Sequence, residues 1–585
     1  MINYNIQRSA ALLASLTAGT TGLMAQQAKS DLSAERNGDR PNIVIVISED
    51  LSSRWGCFGD KVAHTPNLDA LAQEGVRFTN VHTMAGVSGA SRSGLITGVF
   101  QNFTNMPHMR AMSCPDGKYF ATPPANIKAY PELLRRNGYF TYCDVKFDYQ
   151  WTTPAAPGAF TIFDEVEDRN QLEAYCLMPR WRNYDLKGKP FFFNYNPQIT
   201  HESGLFFSDD PTLSDWERGN PLKWDKMREM YKDRIVPTDP KKVDVGEFYL
   251  NKKGSRKEIA RFYDNIQIMD CQVGDLIKNL KEDGLWDNTI LIVTTDHGDC
   301  LPRAKREGYD SGTRVPMIMH VPAKYRPTWM PADGQTSDRL ISFEDLTPTL
   351  LGWAGAPIPS YMKGVDLSKN NPKTREYVFA DRGRMDNLYL NAFFVQNTKF
   401  QYVRNLTKTP NGAKIPYREH LLTMKDLREA YDKGKLKEGM KEWFEDRPVE
   451  EFYDLTKDPY ELHNVINDPA YAAEIAKMRN VMDDWRDQGN DATIIPEKEL
   501  RASMLDANGQ QKTTLQPVVS QDEINHKVYV TNLTDYASIG YSYDGKHYEV
   551  YTKALTVPAG VDKLYVKAVR YGWKESKPVE FSVKH

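Results

Sequence analysis

The sequence carries no marked excess of charge of either sign. Its 585 residues include 78 acidic and 75 basic side chains, which gives a formal net charge of −3 at pH 7. Proteins that bind nucleic acid or an anionic membrane surface over a wide area carry a clear basic excess. We therefore expect no nucleic-acid partner, while a local basic pocket remains compatible with the charge balance.

Cysteine is scarce, and no two cysteines are spaced as C-x-x-C. The absence of that spacing argues against the common zinc and redox motifs. An exported chain allows disulfides, but the sequence alone does not fix which cysteines pair. The six cysteines are Cys57, Cys114, Cys143, Cys176, Cys271 and Cys300.

Long apolar runs are also missing, and no window outside the N-terminus approaches the length of a membrane span. There, Arg8 precedes a modest apolar stretch from Ala10 to Met24, followed by small residues around Ala25. This pattern is typical of a secretory signal peptide and is too short and too polar for a membrane span; a disordered tail is the simpler alternative. We predict a signal peptide over 1–25, a flexible leader over 26–39, and a periplasmic or secreted protein without a membrane span.

Apolar, β-branched runs alternate with helical patterns from Pro41 to about Gly355. This alternation predicts an α/β domain with a mostly parallel sheet flanked by helices, over 40–372. The predicted strands are Asn42–Ser48, Tyr139–Val145, Phe191–Asn196 and Thr289–Thr295, and the predicted helices are Asn67–Gly75 and Lys257–Gly284.

Two smaller units are predicted after the α/β domain. Over 373–500 the alternation of strand and helix patterns is weaker, and acidic and aromatic residues are frequent. This predicts a smaller α+β C-terminal subdomain. Alternating apolar and polar residues around Asp-Gly and Gly turns predict a small all-β sandwich over 516–585, which we call the appendage.

Polar side chains follow each of the four predicted strands. The carboxyl ends of parallel strands form the ligand-binding edge of an open sheet, so these side chains are expected to meet. Paired carboxylates suit a hard divalent cation, and lysines beside them suit an anionic, oxygen-rich substrate. In strand order, the side chains are Glu49 and Asp50, then Lys146, then His201, and finally Asp296 and His297.

The segment SGASRSGLITG, Ser88–Gly98, resembles the signature of the formylglycine-dependent type I sulfatases of the alkaline phosphatase superfamily. That signature has Cys or Ser, Pro or Ala two residues later, Arg two further on, and a Leu…Thr-Gly ending. The serine makes the chain similar to bacterial serine-type glycan sulfatases. Other segments agree in order and spacing over about 41–490, among them NIVIVISEDLSSRWGCFGD, HTPNLDALAQEGVRFTNVHT, TTDHGD and LPRAKREGYDSGTRVPMIMHVP.

The resemblance implies an alkaline-phosphatase-like fold and a role for each matching residue. Ser88 is expected to be oxidised to formylglycine, whose hydrated aldehyde attacks sulfur and later expels sulfate through its second hydroxyl. Arg92 would hold the formylglycine. The other implied residues are the Ca²⁺ or Mg²⁺ ligands Glu49, Asp50, Asp296 and His297, the sulfate clamps Lys146 and Lys305, and the general acid His201.

Four positions depart from the family pattern. Relatives usually have Asp where this chain has Glu49, and Asp or Asn where it has His297. Many have His where this chain has Asp148, and we predict that His108 replaces it from another loop. Ala90 at the usual Pro position suits the serine-type enzymes and implies an anaerobic-type sulfatase-maturating enzyme as a partner.

The combined pattern predicts a sulfuric ester hydrolase that removes an O-sulfate or an N-sulfate from a sulfated glycan. Two alternatives stay open: a phosphatase or phosphonate hydrolase of the same superfold that uses unmodified Ser88, and an inactive protein that binds sulfated glycans. The simpler structural alternatives are a helix N-cap for Ser88, a solvated loop charge for Lys305 and a backbone-bonded histidine for His201. The residues that choose the sugar are expected in loops such as 150–185 and 203–250.

Overall fold

A large sheet in the first two thirds of the chain organises the fold. The computed structural model describes residues 40–109, 119–152, 158–186 and 188–584. The predicted signal peptide, the leader and Cys114 lie outside the described residues.

Nine strands form the central sheet, in the order β4-β3-β5-β1-β6-β7-β2-β8 with β9 beside β2. The strand β7 runs antiparallel to its neighbours β6 and β2, and the other pairs are parallel. The strands are β1 (Asn42–Ser48), β2 (Val76–His82), β3 (Phe140–Cys143), β4 (Glu165–Val166), β5 (Phe191–Tyr195), β6 (Thr289–Thr295), β7 (Arg314–His320), β8 (Thr336–Ser337) and β9 (Ile341–Ser342).

Continuous apolar sequence explains the centre of this sheet. β1, β5 and β6 are buried along their whole length, because helices and loops cover both faces of a parallel sheet. The β1 and β6 boundaries match the prediction, and β3 is shorter than Tyr139–Val145. The mostly parallel α/β sheet predicted from the sequence is thus confirmed.

Ten α-helices accompany the sheets in the described part of the chain. The first ends earlier than the predicted Gly75, because the chain turns there against β7: a Cβ on Gly75 would lie 2.6 Å from the Met319 carbonyl oxygen. The helices are α1 (Pro66–Leu71), α2 (Ser88–Thr97), α3 (Tyr130–Arg136), α4 (Asp215–Tyr231), α5 (Lys253–Glu282), α6 (Asp310–Thr313), α7 (Phe343–Trp353), α8 (Leu422–Asp432), α9 (Ala472–Arg486) and α10 (Glu497–Met504).

Three antiparallel sheets follow the central one. The second sheet has the order β10-β11-β12-β13, and the appendage contains one sheet of order β14-β15-β18 and another of order β17-β16-β19-β20. The strands are β10 (Val378–Met385), β11 (Leu388–Gln396), β12 (Phe400–Asn405), β13 (Glu450–Asp454), β14 (Val518–Asp522), β15 (Lys527–Thr531), β16 (Ser538–Ser542), β17 (Glu549–Val550), β18 (Leu555–Thr556), β19 (Lys563–Val569) and β20 (Val579–Ser582).

The appendage packs on the face of the central domain that carries α3. Glu132 of α3 accepts hydrogen bonds from Ser538 Oγ at 2.7 Å and from Tyr571 Oη at 2.6 Å. The Tyr571 ring also stacks on Trp151, with the ring centroids 5.3 Å apart. One buried carboxylate thus joins the two units.

Neither a disulfide nor a membrane-spanning helix is found in the described ranges. The five cysteines within them, Cys57, Cys143, Cys176, Cys271 and Cys300, carry free thiols. None of the helices there combines the length and the apolar character that crossing a bilayer requires.

Candidate active site

The carboxyl ends of three adjacent parallel strands form the floor of the candidate site. β1 pairs with β5 on one side and with β6 on the other, in register. The residues that follow these strands therefore emerge side by side at one edge of the sheet. They are Glu49 and Asp50 after β1, Asn196 after β5, and Asp296 and His297 after β6.

Ser88 is the first residue of α2 and is 1% exposed. Its Oγ lies 3.2 Å from Glu49 Oε2 and 3.3 Å from His297 Nε2. The N-cap of α2 is Val87, without a side-chain capping bond, so Ser88 is not an N-cap serine. Its hydroxyl instead faces the strand-end residues, with the positive end of the helix dipole beside it.

Arg92, one turn into α2, is held by the same strand ends. Its Nη2 donates to Glu49 Oε1 at 2.6 Å, its Nε donates to Asp296 Oδ2 at 3.1 Å, and its Nη1 donates to Asn196 Oδ1. Burial alone would lower the pKa of the guanidinium, but the carboxylates of Glu49 and Asp296 raise it above its ordinary value. Arg92 thus fixes Ser88 relative to the sheet.

Carboxylates and one imidazole are arranged as cation ligands beside Ser88. Asp50, Asp296 and His297 offer ligand atoms within 4.8 Å of one another. His297 Nδ1 donates to the Gly298 carbonyl at 2.9 Å, which is the usual second contact of a metal-bound histidine. Its Nε2 lies 2.9 Å from Asp50 Oδ1, an oxygen with no hydrogen-bond donor among the described residues. A cation there, either a metal ion or a proton on the ring, would satisfy both atoms.

Oxygen-rich donor chemistry fits a divalent metal at this place. Glu49, Asp50 and Asp296 are all fully buried, and buried carboxylates require compensating positive charge. Burial alone would raise the pKa of Asp296, but the charges of His297 and Arg92 hold it below its ordinary value. Carboxylate oxygens favour Ca²⁺ or Mg²⁺, and an imidazole is also compatible with Mn²⁺ or Zn²⁺.

Lys146 and Lys305 reach these carboxylates from two loops. Lys146 Nζ lies 3.1 Å from Glu49 Oε2, and Lys305 Nζ contacts the Asp50 carboxylate and lies 3.7 Å from Glu202 Oε2. Burial alone would lower the pKa of Lys305, but Asp50 and Glu202 raise it. At 2% exposure, Lys305 is not a solvated loop charge. Both ammonium groups are therefore available to bind the oxygens of an anion.

His201 sits beside Lys305 in a defined tautomer. Its Nδ1 accepts the backbone N–H of Ser203 at 3.1 Å and lies 3.0 Å from Ser203 Oγ. Ser203 Oγ itself accepts the indole N–H of Trp224 at 2.9 Å. The proton of the neutral ring is therefore on Nε2, which lies 3.3 Å from Lys305 Nζ. Burial, and then the charge of Lys305, lowers the pKa of His201 well below its ordinary value.

His108 is not brought into contact with the other candidates in the described structure. It is fully buried; its Nδ1 accepts the Arg384 backbone N–H at 3.0 Å, and its ring centroid lies 5.6 Å from that of Tyr389. Burial, with the charge of Arg384, lowers its pKa to about 3. Asp148 itself remains close to the site, 3.6 Å from Lys146 Nζ. The predicted replacement by His108 thus has no support from these contacts and stays a prediction.

Several residues that support the site were not singled out from the sequence. Asp144 accepts the side-chain N–H of Asn196 at 2.8 Å, and burial raises its pKa to about 6. Glu202 forms a bidentate pair with Arg306 at 3.1 and 2.9 Å. Asp144 and Asn196 directly follow β3 and β5, but the predicted strands Tyr139–Val145 and Phe191–Asn196 enclosed them, so the strand-end rule passed over them.

The arrangement defines a class of enzyme. A buried hydroxyl at a helix N-terminus, with metal ligands on one side and two lysines and a histidine on the other, is suited to transfer of a tetrahedral oxyanion. Such a site hydrolyses sulfate or phosphate esters.

Comparison with known proteins narrows that class. The sulfatase family model matches residues 41–356. An ulvan-active sulfatase of Formosa agariphila is 32% identical over 572 residues, covering 93% of this chain and 91% of the relative. Human N-sulphoglucosamine sulphohydrolase is 25% identical, covering 76% of this chain and 91% of the relative. The chain belongs to the sulfatase family, and it is a sulfuric ester hydrolase.

Solved structures agree with the fold. The putative sulfatase yidJ from Bacteroides fragilis is 20% identical, with a TM-score of 0.54 over 80% of this chain and 99% of that one. The predicted alkaline-phosphatase-like α/β architecture is therefore confirmed. Members of the family generally use a metal ion and a formylglycine, which agrees with the acidic cluster and Ser88.

Proposed function

We propose that this enzyme removes sulfate from a sugar of a sulfated glycan, using formylglycine generated at Ser88. The observation that carries the proposal is the meeting of Ser88 with the acidic cluster, two lysines and a histidine. The names of the relatives support a glycan substrate, because one acts on ulvan and another on N-sulphoglucosamine. They include both polysaccharide and amino-sugar sulfatases, so O-sulfate and N-sulfate are both candidate bonds.

Each side chain is proposed to act on a different part of the ester. Formylglycine at position 88 would supply, as its hydrate, a hydroxyl nucleophile and a second hydroxyl that expels the sulfate. Lys146 and Lys305 bind the sulfate oxygens, and their charges stabilise the negative charge that develops on them. The Nε2–H of His201, beside the Lys305 ammonium group, donates a hydrogen bond to the departing sugar oxygen. Arg92 keeps position 88 at the strand ends.

Calcium is the proposed metal, with Mg²⁺ as the alternative. Glu49, Asp50, Asp296 and His297 would hold it, because three of the four offer the hard oxygen ligands that these ions prefer. The bound ion would supply positive charge opposite the sulfate oxygens.

The protein is also proposed to be exported and to be matured by oxidation of Ser88. The N-terminal pattern over 1–25 supports secretion or a periplasmic location. The serine and Ala90 of the signature support conversion by an anaerobic-type maturating enzyme.

The first experiment is the mass of the tryptic peptide Phe78–Arg92 from protein made in its own host. Oxidation of Ser88 to formylglycine removes two hydrogen atoms and creates an aldehyde that a hydrazide probe captures. A lighter, probe-reactive peptide supports the sulfatase mechanism. An unmodified peptide, together with phosphate monoester turnover that is lost in Ser88→Ala, would support the phosphatase alternative instead. Glycan binding without turnover would support the inactive binding protein.

A further inference from the structure

Helix α4 presents two side chains toward the site that the proposed mechanism does not use. Trp216, near its N-terminus, is 73% exposed, whereas tryptophans are on average among the more buried residues. Lys223, farther along, is half-buried and has neither an ion pair nor a hydrogen bond to the described residues. Neither side chain has a polar partner among the described residues, so the Trp216 ring can stack on a ligand and the Lys223 ammonium group can bind an anion.

Trp216 borders a cavity that reaches the sulfate clamp. The cavity at Trp216 has a volume of about 280 Å³, and Lys305 is among its lining residues. Tyr417 and Asp386 also line it. This volume lies just below the roughly 300 Å³ at which small-molecule sites begin, so the cavity has room for no more than a single sugar residue.

The walls of this cavity are held in place before any ligand binds. Ser214 and Glu217 form a capping box that fixes the start of α4. Glu217 Oε1 lies 3.3 Å from His420 Nε2, which joins this helix to the C-terminal subdomain. The Tyr417 ring packs edge-on against Phe206, with centroids 4.8 Å apart. A preformed wall with two aromatic side chains is suited to stacking on a sugar ring.

Lys223 lies between two aromatic rings. Its Nζ is 3.9 Å from the Tyr175 ring centroid and 4.0 Å from that of Trp224. The charges that act on it are those of Arg169 and Lys146, which are both positive, and burial is the largest cause that lowers its pKa to about 7. An ammonium group that is surrounded by other cations and aromatic rings is stabilised most strongly when an oxyanion binds to it.

The geometry of α4 places these two side chains on one face. Trp216 and Lys223 are two turns apart, about 10 Å along the helix axis. Between them, a Cβ on Gly219 would meet no atom within 4 Å, so this face is open. Trp216 adjoins the cavity lined by Lys305, and Lys223 lies against the Tyr175 ring. The face therefore extends from the cavity at the Lys305 clamp to the Lys223 ammonium group.

We propose that this face of α4 recognises the glycan around the bond that is cleaved. Trp216, opposite Tyr417, stacks on the sugar that carries the sulfate, and Lys223 binds a second oxyanion of the same glycan, either a carboxylate or another sulfate. The proposal rests on the proposed function and adds the substrate class, a polyanionic glycan rather than a singly sulfated neutral one.

The test measures kcat/KM for three variants on matched substrates. Lys223→Met and Trp216→Ala are compared with Lys226→Met, which removes an exposed lysine of the same helix. The substrates are an aryl sulfate, a sulfated disaccharide with a uronate, its carboxyl-reduced form, and that reduced form with a second sulfate. Retention of the wild-type melting temperature identifies the variants that fold normally.

Lys223→Met is expected to lower kcat/KM by about 10- to 100-fold on the substrates with a second oxyanion, and to leave the aryl sulfate and the reduced disaccharide unchanged. The uronate and the doubly sulfated form distinguish which oxyanion is bound. Trp216→Ala should slow every sugar substrate but not the aryl sulfate, and Lys226→Met should change none. An equal loss on all substrates, or no loss on any, overturns the proposal.

Failure of the proposed function gives a different result. If the wild type cleaves no sulfate ester, binding of the same disaccharides to the Ser88→Ala variant is measured by calorimetry. Weaker binding of only the doubly anionic disaccharides by Ser88→Ala with Lys223→Met would retain the recognition face, whereas unchanged binding would refute it.

Discussion

Replacing Ser203 should weaken the hydrogen bond that His201 is proposed to donate to the leaving group, without touching the sulfate site. Ser203 Oγ accepts from Trp224 and is thereby directed to donate to His201 Nδ1, 3.0 Å away. Ser203→Ala removes this donor, while the backbone N–H at 3.1 Å remains. A neutral hydrogen bond contributes about 1 kcal/mol, which corresponds to about a 5-fold loss in kcat.

The loss should depend on the leaving group. A sugar alcohol is a poor leaving group and needs the hydrogen bond from the Nε2–H of His201 to stabilise the charge that develops on its oxygen, whereas a nitrophenolate leaves without it. The assay therefore compares kcat of Ser203→Ala on a sulfated sugar and on a nitrophenyl sulfate. We expect the 5-fold loss only on the sugar, and Ser203→Thr should restore most of the rate.

A stability effect accompanies the change and has to be separated from it. In Ser203→Ala, the Trp224 indole N–H loses its acceptor in a position that is 1% exposed, which lowers the free energy of unfolding by about 1–3 kcal/mol. Trp224→Phe removes the donor itself and so leaves no such unpaired group. Equal losses of kcat on both substrates, or none on the sugar, would refute the role assigned to Ser203.

Two further predictions concern the metal and the appendage. Added Ca²⁺ should raise the melting temperature of the protein, because an ion at 100 times its Kd stabilises by about 2.7 kcal/mol, and His297→Ala should abolish most of this shift. Glu132→Gln should loosen the appendage, because Glu132 accepts from Ser538 and Tyr571, and proteolysis near residue 516 should become faster. Burial alone would raise the pKa of Glu132, but Arg136 and Lys128 lower it to about 2. Its contribution is therefore present above the unfolded pKa near 4.5 and is lost as the pH falls toward 2.

Each of these predictions has a control. His82→Ala removes a buried histidine outside the cluster and should leave the calcium shift intact; an unchanged shift in His297→Ala would contradict the assigned ligand. For the appendage, the difference in stability between wild type and Glu132→Gln should shrink between pH 4.5 and 2. A constant difference would show that the charge of Glu132 is not what holds the two units together.

Local sequence was sufficient for the strands and for most of the site. Short continuous apolar runs rich in β-branched residues indicate buried strands of a covered sheet, and β1 and β6 were predicted with their observed ends. Parallel strands then share one edge, which is why Glu49, Asp50, Asp296 and His297 could be placed together without coordinates. The signature around Ser88 added the proposed nucleophile.

Contacts between segments that are distant along the chain were decided only by the tertiary structure. The sequence determined the fold class, the family and the strand-end cluster, since these follow from periodicity and short motifs. It did not place His108 against Arg384, put Ser203 and Trp224 behind His201, or bring Trp216 and Tyr417 to one cavity. Those contacts depend on how helices and loops pack on the sheet, and packing is set by shape and burial summed over the whole chain.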